Sequence, residues 1–285
     1  MEDLPKIIHI GTQKAGSTYL YHLFAQHPDI SLSKYPENNY YLKYYDKGKN
    51  WYLDSFNNKG TKIETSPKYF QKGEIVAPRI KDTLGNQDVK LLLILRNPVD
   101  YLNSHFRMHL HQNKMQKRKD KYKNISSDIT TFIENNPHYL NRAAYYKTLK
   151  NSWLQYFSLD DFKIIFFEEF IRDTKGVMDE LFMDFGLRRI DLSLDKSIYK
   201  NKMLKNKYLW KMRQSALKNR VMRKAGKMIL NMPVIRDIFS YITTDTSANL
   251  LSESDRKVIA DYYKDDVGNL TRLLGLSSTP WKDFE

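Results

Sequence analysis

The chain contains no cysteine among its 285 residues, and this absence excludes several kinds of site. A disulfide framework, a thiolate metal site and a cysteine nucleophile all require a residue that the sequence lacks. Long apolar runs are missing too. The apolar stretch after the charged residues 1–6 is only about four residues, and no later stretch approaches the roughly 20 that span a bilayer. We therefore expect no signal peptide, no transmembrane segment and a cytoplasmic location.

Acidic residues are scarce relative to basic ones, with 33 Asp and Glu against 47 Lys and Arg, which gives a net charge of +14. Such an excess implies contact with a nucleotide, an acidic glycan, nucleic acid or a membrane surface. Two basic stretches, 112–123 and 196–236, carry much of it, and each is in itself typical of a solvated basic face. Neither has the interleaved aromatic residues of a nucleic-acid module, so we expect no nucleic-acid partner. Peripheral membrane contact through the basic region stays open.

Apolar runs separated by helical patterns indicate the fold class. The apolar runs 6–11, 89–95 and 162–170 suit buried strands, and 60–69 suits a further strand that runs into a Ser-Pro turn. Helical spacing covers 17–27, 140–157, 174–187 and 252–274. Strands that alternate with helices predict an α/β fold with a central parallel sheet and helices on both faces. We predict one domain over 1–285, with a basic, mostly helical insertion at about 196–250.

The first strand runs into a loop that resembles a phosphate-binding P-loop. The stretch "KIIHIGTQKAGSTYLYHLF", residues 6–24, has Gly11 and Gly16 at the spacing of G-x-x-x-x-G-K-[ST]. Ser17 stands where that motif has its lysine, and a lysine lies inside the loop instead, at Lys14. The spacing predicts a P-loop-like fold and an anion site, although a tight turn without a ligand or another P-loop variant would also fit.

A lysine inside the loop suits transfer of a sulfuryl group. This group carries less negative charge than a phosphoryl group, so no metal is needed to offset it. Lys14 can reach the oxygen that bridges phosphate and sulfate, where charge develops on the leaving group. The main-chain amides of Ala15, Gly16, Ser17 and Thr18 can hold a 5′-phosphate at the helix N-terminus, and the two hydroxyls add donors.

A second candidate anion clamp follows the strand "LLLIL". Arg96 stands at the strand end, where an NTPase usually has a metal-binding Asp, and Ser104 lies eight residues later. Arginine can bind a phosphate with two parallel hydrogen bonds, although Arg96 alone would also fit a strand-end ion pair. Two clamps at two parallel strand ends favour a nucleotide with phosphates at both the 5′ and the 3′ position.

These motifs together resemble the sulfotransferases that use 3′-phosphoadenosine-5′-phosphosulfate (PAPS). The 14–18 loop resembles their 5′-phosphosulfate loop, and Arg96 with Ser104 resembles their 3′-phosphate motif. Three further stretches resemble the glycan branch, the heparan sulfate glucosaminyl 3-O- and N-sulfotransferases. They are "PENNYYLKYYDKGKNWYLDSF" from Pro36, "IETSPKYF" from Ile63 and "LNRAAYYKTLKNSWLQYF" from Leu140.

The resemblance implies in-line sulfuryl transfer from PAPS to a hydroxyl or amine of a carbohydrate-containing acceptor. Adenosine 3′,5′-bisphosphate is then the product, and no metal is required. Glu37 occupies the position of the family's catalytic base. The rival bases His105, His109 and His111 follow Arg96, and no carboxylate at helical spacing completes a metal site with them.

The chain departs from the glycan branch at its acceptor cleft. Asn39 stands where that branch usually has histidine, and Thr65 where it usually has lysine. Lys68 is a candidate for the missing positive charge, so we count Asn39 and Lys68, with His105 and His109, as candidate acceptor contacts. The loop that closes over the nucleotide in that branch is absent, and the basic stretch 200–207 is its predicted replacement.

Two other functions fit part of the sequence. A P-loop NTPase or small-molecule kinase needs an acidic metal ligand after a core strand, which Glu168 and Glu169 offer. A basic protein that binds nucleic acid or anionic lipid would explain the charge, but not the set of Lys14, Arg96 and Ser104.

Overall fold

The computed structural model describes residues 4–34, 36–56, 59–85, 87–116, 128–194, 202–204, 243–245 and 251–285. The chain divides into two compact units. The first comprises Met1–Leu102, His138–Tyr199 and Arg256–Glu285, and the second Asn103–Pro137 and Lys200–Asp255. Most of the predicted insertion 196–250, most of the stretch 200–207 and the side chain of His111 lie outside the described residues. The single domain over 1–285 stays a prediction.

Parallel strands and helices alternate along the first unit. Its strands are β1 (Ile7–Gly11), β2 (Ile30–Leu32), β3 (Thr61–Thr65), β4 (Lys90–Leu95) and β5 (Phe162–Phe166). The helices are α1 (Ser17–Phe24), α2 (Gly48–Leu53), α3 (Gly73–Leu84), α4 (Pro98–Gln116), α5 (Ile129–Asn135), α6 (His138–Arg142), α7 (Tyr145–Asn151), α8 (Phe167–Arg172), α9 (Thr174–Asp184) and α10 (Glu253–Leu273). Helices α4 and α10 are divided between the two units, α5 belongs to the second unit, and the others belong to the first. A π-helical turn covers Tyr40–Tyr44. The second unit also contains the antiparallel strands β6 (Lys202–Leu204) and β7 (Thr243–Asp245). No helix in the described ranges is long and apolar enough to cross a membrane.

The five strands of the first unit form one parallel sheet in the order β2-β3-β1-β4-β5. β1 is central, with Ile7 paired to Ile63 on one side and to Lys90 on the other. All five residues of β1 are buried, as expected for a strand covered on both faces. The predicted central parallel sheet is confirmed. Because the strands are parallel, the segments that follow β1, β3, β4 and β5 emerge at the same edge of the sheet.

One apolar core fixes helix α1 against the sheet. Tyr19, Leu20, Leu23 and Phe24 of α1 are fully buried and belong to one cluster with side chains of the sheet and of α9. Burying each such side chain contributes about 1.5–3 kcal/mol. The packing therefore holds the N-terminus of α1 at the carboxyl end of β1.

Two predicted elements end earlier than their sequence patterns indicate. The predicted helix 140–157 is divided into α6 and α7, because a carboxylate of the last helix caps a new helix start. Asp266 accepts hydrogen bonds from the main-chain N–H groups of Tyr146, at 3.1 Å, and Lys147, at 2.9 Å. The predicted strand 162–170 ends at Phe166, and α8 begins at Phe167. Phe170 then faces the core, so packing overrides the strand propensity of this aromatic run.

Candidate active site

The loop between β1 and α1 turns twice through the left-handed backbone region. Lys14 has φ 65° and Gly16 has φ 77°. A Cβ atom at Gly16 would lie 3.1 Å from the ring of Phe167, so glycine meets both a backbone and a space requirement there. The loop is tied to the neighbouring strand through Thr12, whose N–H and hydroxyl donate to the carbonyl of Ile94 at 2.8 and 3.0 Å. Left-handed turns of this kind direct successive N–H groups to one side, where they can bind an anion.

The N-terminus of α1 has the features of an anion site. Gly16 occupies its N-cap and has no side chain that could accept from the first-turn N–H groups. Ser17 is partly exposed and Thr18 is exposed, whereas the Ala15 side chain is buried in the core. Only the main chain of Ala15 is therefore available to a ligand. The positive end of the helix dipole lies at the same place.

Arg96 joins this loop from the end of β4. Its Nη1 donates to the main-chain oxygen of Lys14 at 2.8 Å, and its guanidinium lies 4.8 Å from the centre of the Phe167 ring. Tyr145 donates its hydroxyl proton to the Arg96 carbonyl at 2.8 Å. Burial lowers the pKa of Arg96, and the charges of Asp100 and Glu168 act in the opposite direction. Within the described residues, the buried Nε of Arg96 has no hydrogen-bond partner, so this donor remains for an anion.

Glu168, one of the two acidic residues that the NTPase alternative offers as a metal ligand, is engaged in structural contacts. Its carboxylate accepts from the main-chain N–H of Asn97 at 2.9 Å and from the indole N–H of Trp281 at 3.0 Å. Asn97 continues the network to Asp283, which also receives hydrogen bonds from Arg256. Among the described residues, no group of three His, Asp or Glu side chains could hold a metal ion. In the structure, the Glu168 carboxylate therefore connects the main chain at Asn97 with Trp281.

Glu37 lies in a surface segment attached to the end of β3. Its Oε2 forms an ion pair with Nζ of Lys68 at 2.6 Å, and both side chains are about 40% exposed (41% and 37%). Thr65 donates its hydroxyl proton to the carbonyl of Pro36 at 2.5 Å, and the N–H of Ser66 donates to the carbonyl of His9 at 2.9 Å. These contacts fix the Glu37 segment to β3 and the end of β3 to β1, at the sheet edge where the Lys14 loop emerges.

A family model, the sulfotransferase domain, matches residues 4–231 of the chain. The chain belongs to the sulfotransferase family. It is 32% identical over 178 residues to heparan sulfate glucosamine 3-O-sulfotransferase 5 of Mus musculus, a match that covers 58% of this chain and 48% of that protein. It is 28% identical over 195 residues to the bifunctional heparan sulfate N-deacetylase/N-sulfotransferase 1 of Caenorhabditis briggsae, covering 63% of this chain and 22% of that protein.

The chain thus spans about half or less of the length of these curated relatives. A solved sulfotransferase of Alicyclobacillus acidocaldarius shares its fold, with a TM-score of 0.64 at 18% identity, covering 98% of this chain and 99% of that one. These similarities confirm the predicted sulfotransferase family and a place near the heparan sulfate branch. The roles of the individual site residues stay predictions.

Asn39 and Thr65, the two residues that differ from the glycan branch, donate hydrogen bonds to main-chain carbonyls of the sulfotransferase. Asn39, with φ 56° and 6% exposure, donates from Nδ2 to the carbonyl of Glu37 at 3.0 Å. Thr65 is 1% exposed and contacts Pro36 as described above. Asn39 and Thr65 thus hold the segment that carries Glu37, and the predicted acceptor contacts of Asn39 and Lys68 stay predictions.

Ser104, His105 and His109 belong to the second unit of the sulfotransferase. All three are buried on helix α4, with exposures of 6%, 1% and 7%. The His109 ring lies 5.7 Å from that of Phe132, and the Ser104 hydroxyl has no hydrogen-bond partner within the described residues. Helix α4 begins at Pro98. The predicted joint action of Ser104 with Arg96 stays a prediction, as do the roles of both histidines.

Sequence reasoning did not assign a role to Glu64, which lies beneath the Glu37 segment. This glutamate of β3 is fully buried and accepts hydrogen bonds from the hydroxyls of Tyr52, Ser66 and Tyr69. Burial raises the pKa of Glu64, and the three hydroxyl donors act in the opposite direction. The signal available in the sequence was an acidic residue inside a predicted strand, close to Ser66 and Tyr69.

Proposed function

We propose that this sulfotransferase transfers the sulfuryl group of PAPS to a hydroxyl or amine of a carbohydrate-containing acceptor, with Glu37 as general base. The observation that carries the proposal is the hydrogen bond of 2.8 Å from Arg96 to the Lys14 carbonyl. It brings Arg96, one residue of the second predicted anion clamp, to the loop of the first. Relatives named for heparan sulfate support a glycan acceptor.

On the donor side, the chain offers hydrogen-bond donors and positive charge. The first-turn N–H groups of α1 suit the 5′-phosphate, with the hydroxyls of Ser17 and Thr18 beside them. Arg96 has a buried Nε without a described partner and suits a second phosphate. Lys14 lies within this loop, where its ammonium can neutralise charge on the departing phosphate oxygen.

On the acceptor side, Glu37 is an exposed carboxylate in a segment attached to the end of β3. It is partly exposed, so an acceptor can reach its oxygens, which accept the proton that the hydroxyl or amine loses. The acceptor oxygen or nitrogen forms a bond to sulfur while the bond from sulfur to the bridging oxygen breaks. Lys68, at 2.6 Å from Glu37, can contact acidic groups of the acceptor. The product nucleotide is adenosine 3′,5′-bisphosphate.

The test is incubation with radiolabelled PAPS and a panel of glycans, glycolipids and phenols, comparing the wild-type chain with Glu37→Gln. We expect a glycan to be labelled, and transfer to fall by about a hundred- to ten-thousandfold in the variant. Affinity for adenosine 3′,5′-bisphosphate should stay unchanged. Glu180→Gln is the matched control, because Glu180 is also an exposed glutamate near a lysine, with 3.9 Å to Lys163.

Three outcomes would each contradict a different part of the proposal. Unchanged turnover in Glu37→Gln would exclude this residue as the base and direct the same substitutions to His105 and His109. Labelling of phenols without labelling of any glycan or glycolipid would exclude the carbohydrate acceptor. If the bisphosphate binds normally and no acceptor is ever labelled, the enzymatic proposal is wrong.

A further inference from the structure

Glu64 is a buried carboxylate whose described partners are three hydroxyl groups. Ser66 and Tyr69 donate to its Oε1 at 2.7 and 2.6 Å, and Tyr52 donates to its Oε2. Burying a carboxylate is costly, and hydrogen bonds from neutral donors offset that cost only in part. An apolar residue at this position of β3 would avoid the cost. We therefore look for the reason for a carboxylate at this position in the hydrogen bonds that it accepts.

Two of the three hydroxyls connect Glu64 to the segment that follows Glu37. The Ser66 hydroxyl accepts a hydrogen bond from the N–H of Asn39 at 2.9 Å. The Tyr69 hydroxyl accepts one from the N–H of Tyr41, also at 2.9 Å. An ionised carboxylate can only accept hydrogen bonds, so it commits the protons of both hydroxyls to itself. Their lone pairs are then directed at the main chain of residues 39–41.

This main chain is coupled to Glu37 at short range. Asn39 adopts φ 56°, an uncommon conformation for a residue other than glycine, and its side chain donates to the Glu37 carbonyl at 3.0 Å. On the other side of Glu37, Thr65 donates to the carbonyl of Pro36. Residues of β3 and of the turn after it thus hold the chain both before and after Glu37.

We propose that Glu64 is a positioning residue for sulfuryl transfer, which acts through Ser66 and Tyr69 to hold the Glu37 carboxylate at the acceptor. This inference rests on the proposed role of Glu37. A displacement of about 1 Å at a catalytic group can lower a rate by about a hundredfold, so loss of either connection has a measurable effect on turnover.

The structure offers a matched set of variants. Tyr69→Phe and Ser66→Ala each remove one hydroxyl that connects Glu64 to residues 39–41. Tyr52→Phe is the control, because Tyr52 also donates to Glu64, and its loss leaves both connecting hydroxyls in place. Glu64→Gln keeps the shape but can donate from its amide, and thereby releases the direction of both hydroxyls. The single hydroxyl variants keep the test decisive even if Glu64→Gln does not fold.

Hydrogen exchange gives a readout that does not depend on activity. We expect the Tyr41 amide to exchange about fivefold faster or more in Tyr69→Phe, and the Asn39 amide in Ser66→Ala, as expected for one lost hydrogen bond. Both amides should keep their wild-type protection in Tyr52→Phe. Equal protection in all three variants would overturn the connection between Glu64 and this segment.

Turnover with the labelled glycan should fall about ten- to a hundredfold in Tyr69→Phe and Ser66→Ala, with unchanged affinity for adenosine 3′,5′-bisphosphate. In a Glu37→Gln background, Tyr69→Phe should lower the residual rate by less than about twofold, since its effect passes through Glu37. An equal fractional loss in both backgrounds would overturn the positioning role. Normal turnover in Glu37→Gln would instead refute the proposed base, so the two failures are distinguishable.

Discussion

Arg96 donates a hydrogen bond from Nη1 to the main-chain oxygen of Lys14 at 2.8 Å. The residue that sequence analysis assigned to one phosphate group thus supports the loop assigned to the other. Lys14 lies there with φ 65°, a conformation that needs support from its surroundings. We therefore expect Arg96 to affect the binding of both phosphate groups of the donor.

Arg96→Ala should lower the affinity for adenosine 3′,5′-bisphosphate by about ten- to a hundredfold, the value of a charged hydrogen bond. Affinity for adenosine 5′-phosphate should fall as well, but less, because the support of the Lys14 loop is lost. Calorimetry with both ligands measures the difference. Arg79→Ala is the control, because Arg79 makes the same two kinds of contact as Arg96. It donates a hydrogen bond of 2.8 Å to the Tyr41 carbonyl, and its guanidinium lies 4.7 Å from the centre of the Tyr45 ring. Equal losses for the two ligands would show that Arg96 does not bind the 3′-phosphate.

Lys14→Ala should lower turnover at saturating PAPS by about a hundredfold or more, because charge on the leaving phosphate is no longer neutralised. Lys14 is only partly buried, so the free energy of unfolding should change by no more than about 0.5 kcal/mol. Labelled transfer and urea unfolding test the two statements. Near-normal turnover would exclude Lys14 from the chemical step.

Gly16→Ala should lower the affinity for adenosine 3′,5′-bisphosphate. Gly16 has a left-handed backbone, φ 77°, which disfavours alanine, and the new methyl group would lie 3.1 Å from the Phe167 ring. Gly186→Ala is the control, because Gly186 has φ 68° and open space around it, so it measures the backbone cost alone, about 1–2 kcal/mol. Bisphosphate affinity measured by calorimetry should fall in Gly16→Ala and not in Gly186→Ala. Unchanged affinity in both would contradict a role for this loop conformation.

Removal of divalent cations should not change the rate of transfer. Both oxygens of Glu168 accept hydrogen bonds within the protein, one from the Asn97 main chain and one from the Trp281 indole. Treatment with EDTA, followed by the labelled PAPS assay with and without added Mg²⁺, measures the effect. A rate that needs Mg²⁺, together with tighter binding of ATP–Mg²⁺ than of adenosine 3′,5′-bisphosphate, would support the NTPase alternative instead.

The stability of the protein should decrease in mild acid because of His9. This histidine of β1 is fully buried, and burial lowers its pKa from 6.5 to about 4. The unfolded chain binds a proton at His9 as the pH falls below 6.5, while the folded chain does so only near pH 4. The free energy of unfolding therefore falls across this window, by up to about 3 kcal/mol. Urea unfolding of the wild type and of His9→Gln at several pH values should show the extra loss only in the wild type.

The parts of the site that depend on local sequence could be predicted. Glycine spacing predicted the loop around Lys14, and an apolar run predicted the strand that ends just before Arg96. Contacts between distant residues could not be predicted in this way. Asp266 divides a predicted helix 120 residues away, and the buried carboxylate of Glu64 accepts from the hydroxyl of Tyr52, 12 residues away in the sequence. Local patterns do not contain such pairings, because they arise only when the sheet is assembled.

The central place of β1 has a practical consequence for protein engineering. The Lys14 loop is supported from the side of β4 and β5, through Arg96 and Phe167. The segment with Glu37 is instead attached to β3, on the other side of β1. Exchange of residues 36–56 alone, with β3 and the turn after it kept, would leave these supports of the Lys14 loop unchanged. The same scaffold could then be given new acceptors by transplanting one contiguous part of the chain.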